Sequence, residues 1–138
     1  MGRRRQAREI ALHALYIADA AGTPEAEAFA SAVRGIKDAD DRTRDFAREL
    51  VRGTLANKEK LDALIQGVAE NWTLARMPLV DRNVLRLAAY ELTSPDETPV
   101  GVVIDEAIEI VRKYSTEEST RFINGILDKL KVQRPPKA

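Results

Sequence analysis

Apolar residues recur along this chain with the 3.6-residue period of helices, and no stretch of useful length alternates as a strand would. The first helix is predicted from about Arg3 to Ala20. Its apolar positions Ile10, Ala11, Leu12, Ala14, Leu15, Ile17 and Ala18 cover more than one stripe, which predicts burial on most sides. Gly22 stops it, and Thr23-Pro24-Glu25 reads as N-cap, N1 and N2 of a short second helix reaching Val33. The third begins near Asp41 and extends toward Trp72. Phe46 and Leu50 fill its first part, and Leu61, Leu64, Ile65, Val68 and Trp72 then share one inward stripe. Gly53 and Asn57 are weak helix formers and predict a bend or break between the two parts.

Leu74 to Met77 is predicted as one short turn, and Pro78 opens a fourth helix, Leu79 to Thr93, with Val80, Val84, Leu87, Ala88 and Leu92 inward. Ser94-Pro95-Asp96 ends it. The fifth, Val100 to Tyr114, has Val100, Val103, Ile104, Ala107, Ile108 and Val111 on one stripe. Ser115 with Glu118 matches a capping box for the sixth, Thr116 to Leu130, which buries Ile123, Ile126, Leu127 and Leu130. Gly125 inside that helix costs about 1 kcal/mol relative to Ala, a loss that a close helix–helix crossing would offset. The tail from Val132, with Pro135 and Pro136, is expected to be loose. The predicted fold class is all-α.

At 138 residues the chain suits one compact domain or two small lobes packed as one body. Without cysteine there are no disulfides and no thiolate chemistry, and the single histidine, His13, rules out an H-E-x-x-H motif. No metal or cofactor is expected. Neither a glycine-rich phosphate loop nor a G-x-S-x-G elbow is present, so a non-enzyme is predicted. Carboxylate pairs such as Asp105 with Glu109 and Glu117 with Glu118 read as solvated helix faces. No apolar run approaches the ~18 residues of a membrane span, and no cleavage signal follows the basic N-terminus; a cytoplasmic protein with no membrane partner is expected.

The formal net charge of zero hides an asymmetry. Residues 1–9 carry net +3, residues 129–138 carry net +4, and the 14 bases and 21 acids between them leave the body at −7. An arginine cluster such as Arg3, Arg4, Arg5 and Arg8 can neutralise several phosphates, although a short basic end also serves as a solvated tail.

Three stretches together resemble a known family. They are Arg5-Gln6-Ala7-Arg8-Glu9 followed by Ala14-Leu15-Tyr16; Val80-Asp81-Arg82-Asn83-Val84-Leu85-Arg86-Leu87-Ala88-Ala89-Tyr90-Glu91-Leu92; and Ile104-Asp105-Glu106-Ala107-Ile108-Glu109 followed by Arg121-Phe122-Ile123-Asn124-Gly125-Ile126-Leu127-Asp128. In this order and spacing they are similar to the NusB family of bacterial transcription antitermination factors. The resemblance implies two perpendicular three-helix lobes forming one domain over residues 1–138, with the N-terminal lobe at about 1–72, the C-terminal lobe at about 73–131 and the tail at 132–138. It also implies a heterodimer with NusE, the small-subunit ribosomal protein, which binds single-stranded boxA RNA. That heterodimer joins an RNA polymerase antitermination complex on ribosomal RNA operons.

Carried onto this sequence, the resemblance implies RNA contacts from Arg3, Arg4, Arg5, Arg8, Glu118 and Phe122, and partner contacts from Tyr16 and Asp81. Gln6 stands where the family often has one more basic residue. Each position also has a plain structural reading. Tyr16 could fill a seam between lobes, Glu118 could be the reciprocal arm of a capping box, Phe122 could be core, and Asp81 could be a helix N-terminal acid. Three alternatives stay open: an RNA-recruiting module for ribosomal RNA modification, although no methyltransferase domain follows; a helical adaptor without RNA; and a homodimer of the free protein.

Overall fold

The computed structural model describes residues 2–94 and 98–135, all helix, turn or loop with no strand among them. They fall into two compact units, divided between Ala56 and Asn57. The first unit holds α1 (Arg3–Ala21), α2 (Glu25–Gly35) and α3 (Asp41–Ala56). The second holds α4 (Lys58–Val68), α5 (Leu79–Thr93), α6 (Val100–Tyr114) and α7 (Glu117–Leu130), with 3-10 turns at Leu74–Arg76 and Lys131–Gln133.

In the first unit α1 packs against both α2 and α3. Residues 7–12 of α1 are buried without interruption, as its several apolar stripes require. Gly22 follows in the left-handed conformation, φ 65°, which a residue without a β-carbon adopts at no steric cost and which terminates the helix. Asp40 caps α3: its Oδ1 accepts the Thr43 amide at 2.8 Å.

The expected long third helix is two helices. Asn57 leaves helical geometry at φ −111° and separates α3 from α4. Leu61 and Ile65 of α4 are buried, and α4 packs on α5 and α7, so it belongs to the second unit; the sequence reading had drawn the division near residue 72.

Helix α5 is the centre of the second unit, in contact with α4, α6 and α7 and buried at most positions from Asp81 to Leu92. Its buried polar groups are matched. Arg86 meets Asp62 through Nε at 2.7 Å and through a second guanidinium nitrogen at 3.0 Å, and also donates to Asn83 Oδ1 at 3.2 Å. The Asn83 amide donates back to the Leu79 carbonyl at 2.8 Å. An ion pair this buried is strongly destabilising to break on one side, because the survivor is left without a counter-charge.

Four local expectations change. Pro24 sits at the N-cap of α2, one place later than the sequence suggested for Thr23. The α7 cap is Thr116, whose hydroxyl accepts the Ser119 amide at 3.0 Å, so Ser115 and Glu118 form no capping box. Gly125 faces solvent, and a β-carbon there would meet no atom within 4 Å, so no helix crossing explains it. Finally, residues 132–135 are not a loose tail. Arg134 donates to the carbonyls of Leu92 at 3.1 Å and Glu91 at 2.6 Å, and to that of Thr98, which ties off the end of α5. Pro95, Asp96 and Pro136 lie outside the described residues.

Candidate nucleic-acid interface

The N-terminal turn of α1 carries three consecutive arginines and no acid, and its N-cap, Gly2, provides no side-chain cap. Cations at a helix N-terminus oppose the macrodipole and sit beside unsatisfied backbone N–H groups, so the turn gains from a nearby anion. Arg3 and Arg4 are exposed and Arg5 is half-buried. Arg3 lies 3.3 Å from Asp40, a solvent-exposed pair of small energetic weight. Arg4 stacks over the Phe46 ring at 4.5 Å, which fixes the direction of its guanidinium while leaving it accessible.

Arg8 differs. It is only 3 % exposed, with its guanidinium 5.8 Å from the same ring. One turn further along α1 the helix has entered the core, so Arg8 is enclosed by the fold where Arg3 and Arg4 are exposed. The family resemblance implies all four arginines as RNA contacts, and the structure sets Arg8 apart by its burial.

Asp40 is the acid paired with Arg3. Its carboxyl titrates below its ordinary value because the Thr43 hydroxyl, then the Thr43 amide, and then the Arg3 guanidinium favour the charged form; of the two Thr43 groups only the amide makes a well-formed hydrogen bond.

A second basic surface in the first unit escaped the sequence reading. Arg34, Arg44, Arg48 and Arg52 line a groove of about 420 Å³ floored by Phe29, Val33 and Val51. Three of these arginines are partnered by acids: Arg44 by Asp41, Arg48 by Asp45 at 3.7 Å, and Arg52 by Glu25 at 3.8 Å. These pairs are solvent-exposed, like that of Arg3 with Asp40, and of small energetic weight. Tyr16, also on α1, is 40 % exposed.

In the second unit the predicted residues separate. Glu118 is exposed on the first turn of α7. Phe122, one turn later, is half-buried and packs at 5.1 Å, tilted by 58°, against Trp72. Asp81 does not lie at a surface: it is 2 % exposed, and its two carboxylate oxygens accept the hydroxyls of Ser115 at 2.8 Å and Ser119 at 2.6 Å. That carboxylate fastens the start of α5 to the end of α6 and the start of α7, so both oxygens are occupied within the fold.

Trp72 was assigned to the inward stripe of the third helix. The helix instead ends at Val68, which breaks the i+11 relation, and the ring is 53 % exposed. The polar Glu70-Asn71 pair just before it was the available sequence signal for that break. Among the described residues no group of three or more His, Cys, Asp or Glu side chains is placed to hold a metal ion, and no helix is long and apolar enough to cross a membrane.

Comparison with known proteins agrees with this architecture. The NusB family model matches residues 5–131. A transcription antitermination protein NusB from Elusimicrobium minutum is 48% identical over 136 residues, covering 97% of this chain and 96% of the relative. One from Trichlorobacter lovleyi is 44% identical, covering 96% of this chain and 92% of the relative. Among solved structures, T. maritima NusB superposes with a TM-score of 0.87 at 36% identity, covering 99% of this chain and 94% of its own. An antitermination factor NusB solved with NusE and double-stranded RNA superposes at 0.85 with 28% identity, covering 94% of this chain and 96% of its own. The match runs through both units and includes the arginine-rich start of α1 from Arg5 onward, and the chain therefore belongs to the NusB family.

Proposed function

We propose that this protein is a non-enzymatic transcription antitermination factor of the cytoplasm. It binds boxA RNA as a heterodimer with NusE, a small-subunit ribosomal protein, and acts within an RNA polymerase antitermination complex on ribosomal RNA operons. The observation that carries the reading is the likeness, over nearly the whole chain, to a NusB solved together with NusE and RNA. The chemistry of the α1 start supports it. Arg3 and Arg4 are exposed guanidinium groups on a helix end that favours anions, in a chain whose body, at net −7, would otherwise repel phosphate. Tyr16 is available to the protein partner; Asp81 is not.

A salt titration of RNA affinity, with NusE present, tests this. On a single strand each neutralised phosphate contributes about 0.7 to the slope of log affinity against log salt. Arg3→Ala with Arg4→Ala should lower the slope by about 1.4 if both meet phosphate. Arg8→Ala should leave it unchanged, because its guanidinium is buried. The double-stranded RNA of the solved relative makes a duplex of the same sequence the necessary competitor. Unchanged slope and affinity in the double variant would remove the cluster from the RNA site. Gel filtration with and without NusE separates a heterodimer from a homodimer.

A further inference from the structure

The exposed indole of Trp72 is assigned no role by the arginine cluster or by any fold contact that needs its full surface. Tryptophan buries a large apolar area when the fold allows it. Here 53 % of the residue remains in solvent, and the ring leans on the half-buried Phe122. Its mount is rigid. Gln66 donates to the Trp72 carbonyl at 2.6 Å and to the Ala69 carbonyl at 3.4 Å, and accepts the Leu74 amide at 2.9 Å. The Trp72 amide donates to the Ala69 carbonyl at 3.1 Å, and Leu74 anchors the turn in the core. With its backbone held in this way and its ring against Phe122, the indole has less freedom to lose when something stacks on it.

The surroundings suit a base better than an apolar peptide. Glu118, one turn before Phe122, is an exposed acceptor; a carboxylate repels phosphate but takes hydrogen bonds from the N–H groups of a base. An apolar partner would have to desolvate the Glu118 carboxylate, which shares the Phe122 face of α7, whereas an unpaired nucleotide uses aromatic face and acceptor together.

We propose that Trp72, supported by Phe122 and positioned by Gln66, is a stacking platform for an unpaired nucleobase of the bound RNA. This inference rests on the RNA-binding reading above and adds to it a contact of a different physical kind, insensitive to salt.

Trp72 is the sole tryptophan of the chain, so its fluorescence reports on this position alone. The protein with NusE bound is titrated with a single-stranded RNA oligonucleotide containing boxA. Stacking should quench the emission in step with binding. Base–aromatic stacking lost on alanine substitution corresponds to about 5- to 150-fold in affinity. Trp72→Ala should fall in that range with an unchanged salt slope, and Trp72→Phe, which keeps a ring, should recover most of the loss. Gln66→Ala should weaken RNA binding while circular dichroism stays that of the parent. If RNA binds without changing the emission and Trp72→Ala binds as the parent does, the platform is refuted while the RNA reading stands. If NusE alone perturbs the emission and RNA adds nothing, the ring belongs to the protein interface and the inference fails. If the parent binds no RNA at all, the proposed function falls and takes the platform with it.

Discussion

Asp81 offers a sharp test, because the family resemblance implies a partner-facing acid and the fold makes it an internal staple. Its carboxylate accepts two serine hydroxyls, at 2.8 and 2.6 Å, from Ser115 at the end of α6 and Ser119 in the first turn of α7. Hydrogen bonds to a charged group contribute about 1.5–3 kcal/mol each. Both serines are half-buried, so a freed hydroxyl can turn toward water and the lower end of that range applies. Asp81→Ala should therefore destabilise by about 3 kcal/mol, with a further ~0.3–1 kcal/mol from losing an acid in the first turn of α5. Asp81→Asn keeps one acceptor oxygen and should cost about half as much.

Urea denaturation of Asp81→Ala, Ser119→Ala and the double variant measures this directly. The cycle should show a coupling of about 1–2 kcal/mol, since either single change removes the same bond. Partner affinity measured by calorimetry at low temperature, where every variant is folded, should stay near that of the parent. A destabilisation below about 1 kcal/mol together with a tenfold loss of NusE affinity would refute the staple and restore Asp81 to the partner surface.

Three further outcomes are expected. Gly125→Ala should stabilise the protein by up to about 1 kcal/mol in thermal or urea unfolding, because the site is helical, exposed and open to a β-carbon. Arg134→Ala should cost about 1.5–3 kcal/mol and expose the amides at the end of α5 to faster hydrogen exchange, since one charged side chain satisfies two carbonyls there and that of Thr98 before α6. The Asp40 carboxyl should titrate by NMR below its ordinary value, held there by Thr43, whose amide donates to it. Its folded value lies below its unfolded one, so the stability it contributes is full above the unfolded pKa and is lost as pH falls through the folded pKa; Asp40→Asn, which still caps α3, should remove that acid dependence.

The all-helical class and most helix limits were legible in the sequence because they are set locally. A 3.6-residue apolar period, a glycine able to take positive φ at residue 22, and the proline at 78 act through their immediate neighbours. The break at Asn57 was legible for the same reason, as was the arginine cluster, since composition needs no partner to be read. What each cluster member does was decided elsewhere. Arg4 and Arg8 are the same residue one turn apart beside one phenylalanine, yet only Arg4 reaches solvent, because helix packing closes over α1 between them. Asp81 turns inward because two serines more than thirty residues away supply its hydrogen bonds. Trp72 turns outward because α4 ends one residue before Ala69 and a glutamine from that helix holds the following turn. Local signals fix where backbone hydrogen bonds run along the chain; whether a side chain meets water or another side chain depends on segments distant in sequence, and only the folded structure brings those together.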